Sequence, residues 1–488
     1  MLRCLDLLIH DKEIQKVRGL GKAHSTTQEL AEFVAKLSYG DLSRSIVEDT
    51  KNHILDTLGV CLCASKTNQK LIKLFSQFFS HSGKCTSFSG ISLSPVDATF
   101  VNAFLAHSIE MDDEHRESMT HIGGAVVTSA LAMTQHLGKS GRDFLLATAL
   151  GYELAGRVGE ALAPKMVYKR GFHPTCIAVP FGTCAASAKL LGLERNQISN
   201  AFGLVSVQCS GLMAGVELGP ASWYFQYAIS AQSGVLASIL ASKGIDGPKN
   251  VFDDTKDFFN VYSISPKKSA LTRNLSGPPS KISNSGFKPY PCCRSIHPGL
   301  DLLKEIIETY SLKSTDIQSI TYHVPRSTIG LVDNMEFQDS RLSAQTSSQY
   351  CFAVLLNDKL VLPSGFSKSK LKERRLIRDA GKVVVRGSYA FDKDLPQKMP
   401  GKIVVTTREG RTISSAAYYP KGDPENPMSH EEIISKLRTI NSNFDQRKID
   451  ELIAAVKTVQ SSNHVDRIGA IIRDMTRAIP SRSVVRKD

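Results

Sequence analysis

Between His107 and Val126 the chain sets three imidazoles, His107, His115 and His121, among five carboxylates, Glu110, Asp112, Asp113, Glu114 and Glu117. Imidazole beside carboxylate is equipment for moving protons near neutral pH, because a histidine titrates there and a neighbouring acid orients and tunes it. The stretch ends in Thr120-His-Ile-Gly-Gly124, a sequence suited to a tight turn into a helix N-terminus. Its flanks, Ala98–Ala106 and Ala125–Met133, are apolar and read as buried helix. A solvated loop could carry these charges, but an acid and imidazole cluster hung between two core helices points to a catalytic or binding site.

Two further constellations could join it. Gly171-Phe-His173-Pro-Thr175 interrupts two apolar helices with an imidazole beside a proline, although a lone histidine in such a place is more often a satisfied core group. Lys288-Pro-Tyr-Pro-Cys-Cys-Arg294-Ser-Ile-His297 joins three cations or proton carriers to a stiff Pro-Tyr-Pro. It reads either as a proline-braced linker or as a carboxylate grip, with arginine able to bind bidentate. Pro220–Tyr227 holds the only tryptophan, Trp223, and is most simply core packing.

Other chemistries lack support. The ten cysteines are scattered without a Cys-x-x-Cys pair, so no disulfide framework, zinc site or four-iron cluster is indicated. There is no glycine-rich dinucleotide loop, phosphate-binding loop or nucleophile elbow. The net charge of +13 fits nucleic acid or an anionic small substrate, but no helix-turn-helix, zinc finger or aromatic RNA-binding signature accompanies it. Acid/base groups and cations without a cofactor motif leave proton chemistry on an anion. Loss of water or carbon dioxide from a polycarboxylic acid needs a proton carrier at the reacting carbon and cations for the remaining carboxylates.

The elements that must position these groups fall into two textures. From Ser25, a capping-box start, to about residue 265 the chain reads as all-α. Ala147, Gly151, Ala155 and Gly159 recur every four residues and form a small-residue ridge for close helix packing. Residues 265–285 are rich in Ser, Pro and Lys and read as a linker. Strands follow at Gln318–Val324, Lys382–Arg386 and Lys402–Thr407, with helices at Leu300–Tyr310 and Ala344–Leu356. After Tyr419–Met428 the pattern returns to helix. The fold expected is mainly α with an α+β second domain. Residues 25–265 and 418–488 form one helical domain, residues 266–417 an inserted α+β lid, and residues 1–24 a loosely held leader. No apolar run approaches the roughly 18 residues of a membrane span, and a cytoplasmic location is expected, with a mitochondrial one second.

Ile54-Leu-Asp-Thr-Leu-Gly59, Val101-Asn-Ala-Phe104, the His107–Val126 stretch, Gly171–Pro174, Lys288–Arg294 and Pro420–Pro427 together resemble the MmgE/PrpD family over about residues 25–475. That family includes 2-methylcitrate dehydratases, cis-aconitate decarboxylases and iminodisuccinate epimerases. The resemblance implies a helical domain built from both chain ends, a smaller lid, a cleft between them, a homodimer, and neither metal nor other cofactor. It places His121 and His173 on the family's active-site histidines, Glu110 where an aspartate is usual, and Asp113 in the Asp-Asp pair that follows. The family's active-site lysine is replaced by Trp223, and the tyrosine that decarboxylases use is absent around Ser327–Gly330. These departures favour dehydration over decarboxylation. The expectation is therefore a cofactor-free hydro-lyase for a citrate-like acid, in particular a 2-alkylcitrate, with His121, His173, Glu110 and Asp113 catalytic; the alternatives are a cis-aconitate decarboxylase-like carboxy-lyase, an epimerase of a related polycarboxylate, and a catalytically inactive family member. Lys288, Arg294, Trp223 and His297 would bind the substrate.

Overall fold

The computed structural model describes residues 25–217, 221–253, 258–338 and 340–477. The expected leader over residues 1–24 and the basic tail from Arg482 lie outside them.

The helix Pro174–Leu191 stands at the centre of the larger unit, wrapped by the helices Gly141–Ala161, Ser222–Ser242 and Gly123–Leu137. It is long and apolar enough to cross a membrane, contrary to the expectation that no such run exists, but 89% of it is buried inside the protein. Close packing rests on small residues: a Cβ at Gly182 would come within 2.6 Å of the Gly151 carbonyl oxygen and 2.8 Å of the Ala155 Cβ. Gly151 and Ala155 of the Ala147–Gly159 ridge thus face the central helix, while Gly159 packs against Ser118 and Thr120.

Both chain ends build this unit. Leu30 and Val34 near the start share one hydrophobic core with Ile433, Leu437, Ile449, Leu452 and Ile472 near the end. Lys436, on the returning helix His430–Ile440, forms a buried ion pair with Asp56 at 2.6 Å and donates to the Met111 carbonyl. The segment expected as a linker is not a loose tether. Ala270, Leu271 and Ile282 enter the helical core, and Glu153 accepts from the backbone N–H groups of Ser280 and Lys281.

A second core, from Cys292 to Ile413, surrounds a four-stranded sheet ordered Val383–Ser388, Ile317–Pro325, Gly401–Thr407, Thr412–Ala417. The first pair is parallel and the other two are antiparallel, with Tyr322 opposite both Val385 and Ile403. Burial alternates along each strand, so one face packs on the helices His297–Thr309 and Ser348–Asp358. The protein is mainly α with a smaller α+β part.

Candidate active site

Four helix ends meet at the acid and imidazole stretch. His107 is the last residue of helix Pro95–His107, and His121 precedes helix Gly123–Leu137. His173 caps helix Pro174–Leu191, and Trp223 and Tyr227 lie in the first turns of helix Ser222–Ser242. The glycines of Ile122-Gly-Gly are needed for this convergence, since a Cβ at Gly124 would sit 2.8 Å from the Tyr227 hydroxyl. Three of these ends are N-termini, an arrangement that favours anions, and the Asp113 carboxylate caps the one at Gly123.

His107 is fully buried, stacked on Tyr227 at 4.3 Å and hydrogen-bonded through Nδ1 to Asp112 at 2.9 Å. Its Nε2 has no hydrogen-bond partner and stands 3.8 Å from Glu110 Oε1. Burial opposes its protonation, but the Asp112 and Glu110 carboxylates outweigh this and raise its pKa above the usual histidine value. Burial would likewise raise Asp112, yet the His107 and His121 imidazoles hold it well below the usual carboxylate range.

His121 is the most exposed of these imidazoles, at 15%, and its Nδ1 donates to the Asp113 carbonyl at 2.9 Å. Asp112 Oδ2 lies 3.8 Å from the same nitrogen. His173 stacks on Trp223 at 4.1 Å and pairs through Nδ1 with the Cys176 sulfur at 3.1 Å. Burial, with His107 and His121 nearby, holds His173 well below its ordinary pKa, so it stays neutral. Burial pushes the Cys176 thiol up to about 12.

Glu110 takes a left-handed backbone, φ 53°, a conformation that costs a non-glycine residue about 1–2 kcal/mol. That turn points its carboxylate at two partners: the Trp223 indole N–H at 3.0 Å and the Lys288 ammonium at 3.6 Å. Lys288 is 0% exposed and its Nζ has no hydrogen-bond acceptor. Burial disfavours its charge, but Glu110 and Asp112 more than compensate and raise its pKa. A buried ammonium without an acceptor is costly, and a bound carboxylate would relieve it.

The structure thus gathers His121, His173, Glu110, Trp223 and Lys288. It separates three other residues from them. The Asp113 carboxylate turns into the core, accepting from Tyr152 at 2.5 Å and the Gly123 N–H at 2.7 Å and pairing with His53 at 2.6 Å. Only its backbone carbonyl serves His121. Arg294 is committed to Asp423, to the Phe287 and Lys421 carbonyls and to His297 Nδ1. His297 Nε2 in turn donates to the Cys292 carbonyl at 3.2 Å. Burial and the Arg294 and Lys288 charges keep that imidazole neutral. Arg294 and His297 therefore brace the junction between the two units, where the expectation had them gripping a carboxylate. Asp423 completes the brace by pairing with Arg116 at 2.6 Å as well.

The central His107–Asp112 pair was part of the acid stretch but was not singled out. Its five-residue separation across a helix end could have flagged it, whereas Cys176, Tyr227 and Asp423 carry no signal until the chain is folded. His107, Asp112 and His121 offer donor atoms within 4.8 Å of one another, close enough to hold a metal ion. His107 Nδ1 is bonded to Asp112 and His121 Nδ1 to the Asp113 carbonyl, while His107 Nε2 and Asp112 Oδ1 have no hydrogen-bond partner.

A mainly helical scaffold that joins an α+β unit across a buried imidazole and carboxylate cluster defines a class of protein equipped for proton transfer on a bound anion. The chain belongs to the MmgE/PrpD family: the MmgE/PrpD N-terminal domain profile matches residues 28–270 and the MmgE/PrpD C-terminal domain profile residues 290–460. It is 26% identical over 458 residues to the cis-aconitate decarboxylase of Aspergillus terreus, covering 87% of this chain and 91% of that protein. The human cis-aconitate decarboxylase is 27% identical over 457 residues, covering 89% and 92%. A cis-aconitate decarboxylase-like protein of Aspergillus oryzae is 25% identical over 477 residues, covering 92% and 97%.

Proposed function

We propose that the chain is a lyase acting on a polycarboxylic acid, and within that class a carboxy-lyase for an unsaturated tricarboxylate of the cis-aconitate type. The observation that carries this reading is Lys288, a buried ammonium with no hydrogen-bond acceptor of its own, 3.6 Å from the Glu110 carboxylate. The names of the full-length relatives favour carbon dioxide over water as the leaving group, against the dehydration expected from the sequence departures.

In such a substrate an alkene lies next to the carbon that bears the departing carboxylate. The bond to that carboxylate breaks, its electron pair becomes a new alkene, and the old alkene's pair takes a proton at its far carbon. Lys288 holds one remaining carboxylate, and the N-terminus of helix Pro174–Leu191 favours the other. His121, the most exposed of these imidazoles, delivers the proton, with the Asp112 carboxylate 3.8 Å from its Nδ1. The His107–Asp112 pair lies behind it, and Glu110 is oriented by Trp223 and Lys288. In this reading side chains alone carry the reaction in a homodimer, and the basic surface steers the anionic substrate.

The test is release of carbon dioxide from cis-aconitate, followed by mass spectrometry of the product. Replacing His121 by alanine should lower turnover roughly 10²–10⁴-fold. A second reading, dehydration of a citrate-like acid, is favoured by one observation: His107 is biased toward imidazolium while His173 stays neutral, so an acid and a base coexist. Loss of water from a citrate without loss of carbon dioxide would establish that reading instead.

A further inference from the structure

Where the smaller unit meets the larger one, Arg341 carries a charge that no acid answers. It opens the short helix Arg341–Gln345, is half-buried, and donates to the Asn68 side-chain oxygen at 2.9 Å and the Thr67 carbonyl at 3.4 Å, both neutral acceptors. The ionisable groups whose fields reach it are Tyr224 and Cys63, so among the described residues the guanidinium has no carboxylate partner. Cations taken out of water are ordinarily paired. One turn along the same helix, Gln345 donates to the Ile109 carbonyl at 2.7 Å, and Asn68 donates to Ser108 at 2.8 Å. Arg341 is thereby fixed beside the turn that carries His107 and Glu110.

Tyr224 approaches the same place from the larger unit. It is 8% exposed, its ring stands edge-on to His107 at 6.1 Å, and its buried hydroxyl has no hydrogen-bond partner. The charges acting on that hydroxyl are those of Glu110, Arg341 and Asp112. Burial and the Glu110 carboxylate push its pKa up, so the phenol keeps its proton and remains a donor.

A substrate carboxylate on Lys288 would stand beside Glu110, with one ammonium for two negative charges. Such neighbours repel strongly in the interior unless a further cation offsets them. We propose that Tyr224 and Arg341 complete the seat of that carboxylate: the phenol donates to it, and the guanidinium supplies the second positive charge. The proposal rests on the polycarboxylate reading above and adds two binding residues to it, one from each unit.

Calorimetry with tricarballylate, a saturated tricarboxylate with no alkene to react, tests it apart from turnover. Tyr224→Phe removes a hydroxyl that bonds to nothing in the protein, so the melting temperature should hold while affinity falls about 10–150-fold, the worth of a hydrogen bond to a charged group. Arg341→Met should also weaken binding, and Arg341→Lys, which keeps the charge, should recover most of the loss. A Tyr224→Phe variant that binds as tightly as the native protein would overturn the proposal, as would an Arg341→Lys variant as weak as Arg341→Met. Turnover of cis-aconitate is measured separately. Its absence in a protein that binds tricarballylate sinks the carboxy-lyase reading, while the variants still decide the seat; a native protein that binds no tricarballylate overturns both.

Discussion

Lys288 Nζ stands 3.6 Å from Glu110 Oε2, beyond hydrogen-bond reach, although both groups are almost wholly buried. Two opposite charges from the two halves of the chain have been brought together and left short of contact. The ammonium therefore keeps its hydrogen-bond donors unspent.

Removing that charge should therefore act on binding. Lys288→Met is expected to weaken substrate affinity about 10–150-fold, the worth of a charged hydrogen bond of about 1.5–3 kcal/mol. It should also lower the melting temperature, because Glu110 is left as a buried carboxylate without its cation. Adding Glu110→Gln should restore stability and not affinity, and thermal melts with steady-state kinetics on both variants check this.

The histidines give stability a definite pH dependence. His107 has a raised pKa, so it contributes stability that is fully present below its unfolded value near 6.5 and is lost as pH rises through the higher folded value. His173 has a lowered pKa, so it works the other way, and stability falls as pH drops below about 6.5. Melting temperatures across pH 5–9 should lose their alkaline slope in His107→Gln and their acid slope in His173→Gln.

Cys176 is expected to act as a positioning residue for His173 through the 3.1 Å contact of its sulfur with Nδ1. Cys176→Ala should lower kcat about 3–10-fold, the worth of one ordinary hydrogen bond, with little change in KM. Cys176→Ser, which keeps a polar partner at Nδ1, should recover most of the rate and the native pH profile. A profile unmoved in the alanine variant would show that the contact is packing alone.

Asp423 binds two buried guanidinium groups, Arg116 and Arg294, at 2.6 and 2.5 Å. Asp423→Asn should cost about 3–5 kcal/mol in urea denaturation, since it leaves the buried Arg294 without a carboxylate and Arg116 with Glu425 alone. Activity of the folded fraction should fall as well, because Arg116 holds the acid stretch and Arg294 follows Lys288 by six residues.

Dialysis against a chelator should leave turnover unchanged, because in the proposed mechanism side chains alone carry the reaction and His107 Nδ1 and His121 Nδ1 are already bonded to Asp112 and to the Asp113 carbonyl. Activity lost to the chelator and restored by zinc would reassign the cluster as a metal site.

Periodicity and residue type were enough to determine the architecture. Four-residue spacing of small residues announced the ridge under the central helix, and alternation in Gln318–Val324 and Lys402–Thr407 announced the sheet. The dense acid and imidazole stretch marked the site for the same reason: so many ionisable groups beside two apolar helices must be satisfied by one another or by a ligand. What a linear chain does not contain is the direction of each side chain. Asp112 and Asp113 are adjacent and chemically identical, yet one carboxylate joins His107 and the other turns to Tyr152 and His53. Lys288 and Arg294 share one motif, yet Asp423, arriving from 129 residues beyond Arg294, occupies the arginine and leaves the lysine without a hydrogen-bond acceptor. Those choices depend on which partner reaches each group first in three dimensions, and only the folded chain brings His107, His121, His173, Trp223 and Lys288 into one place.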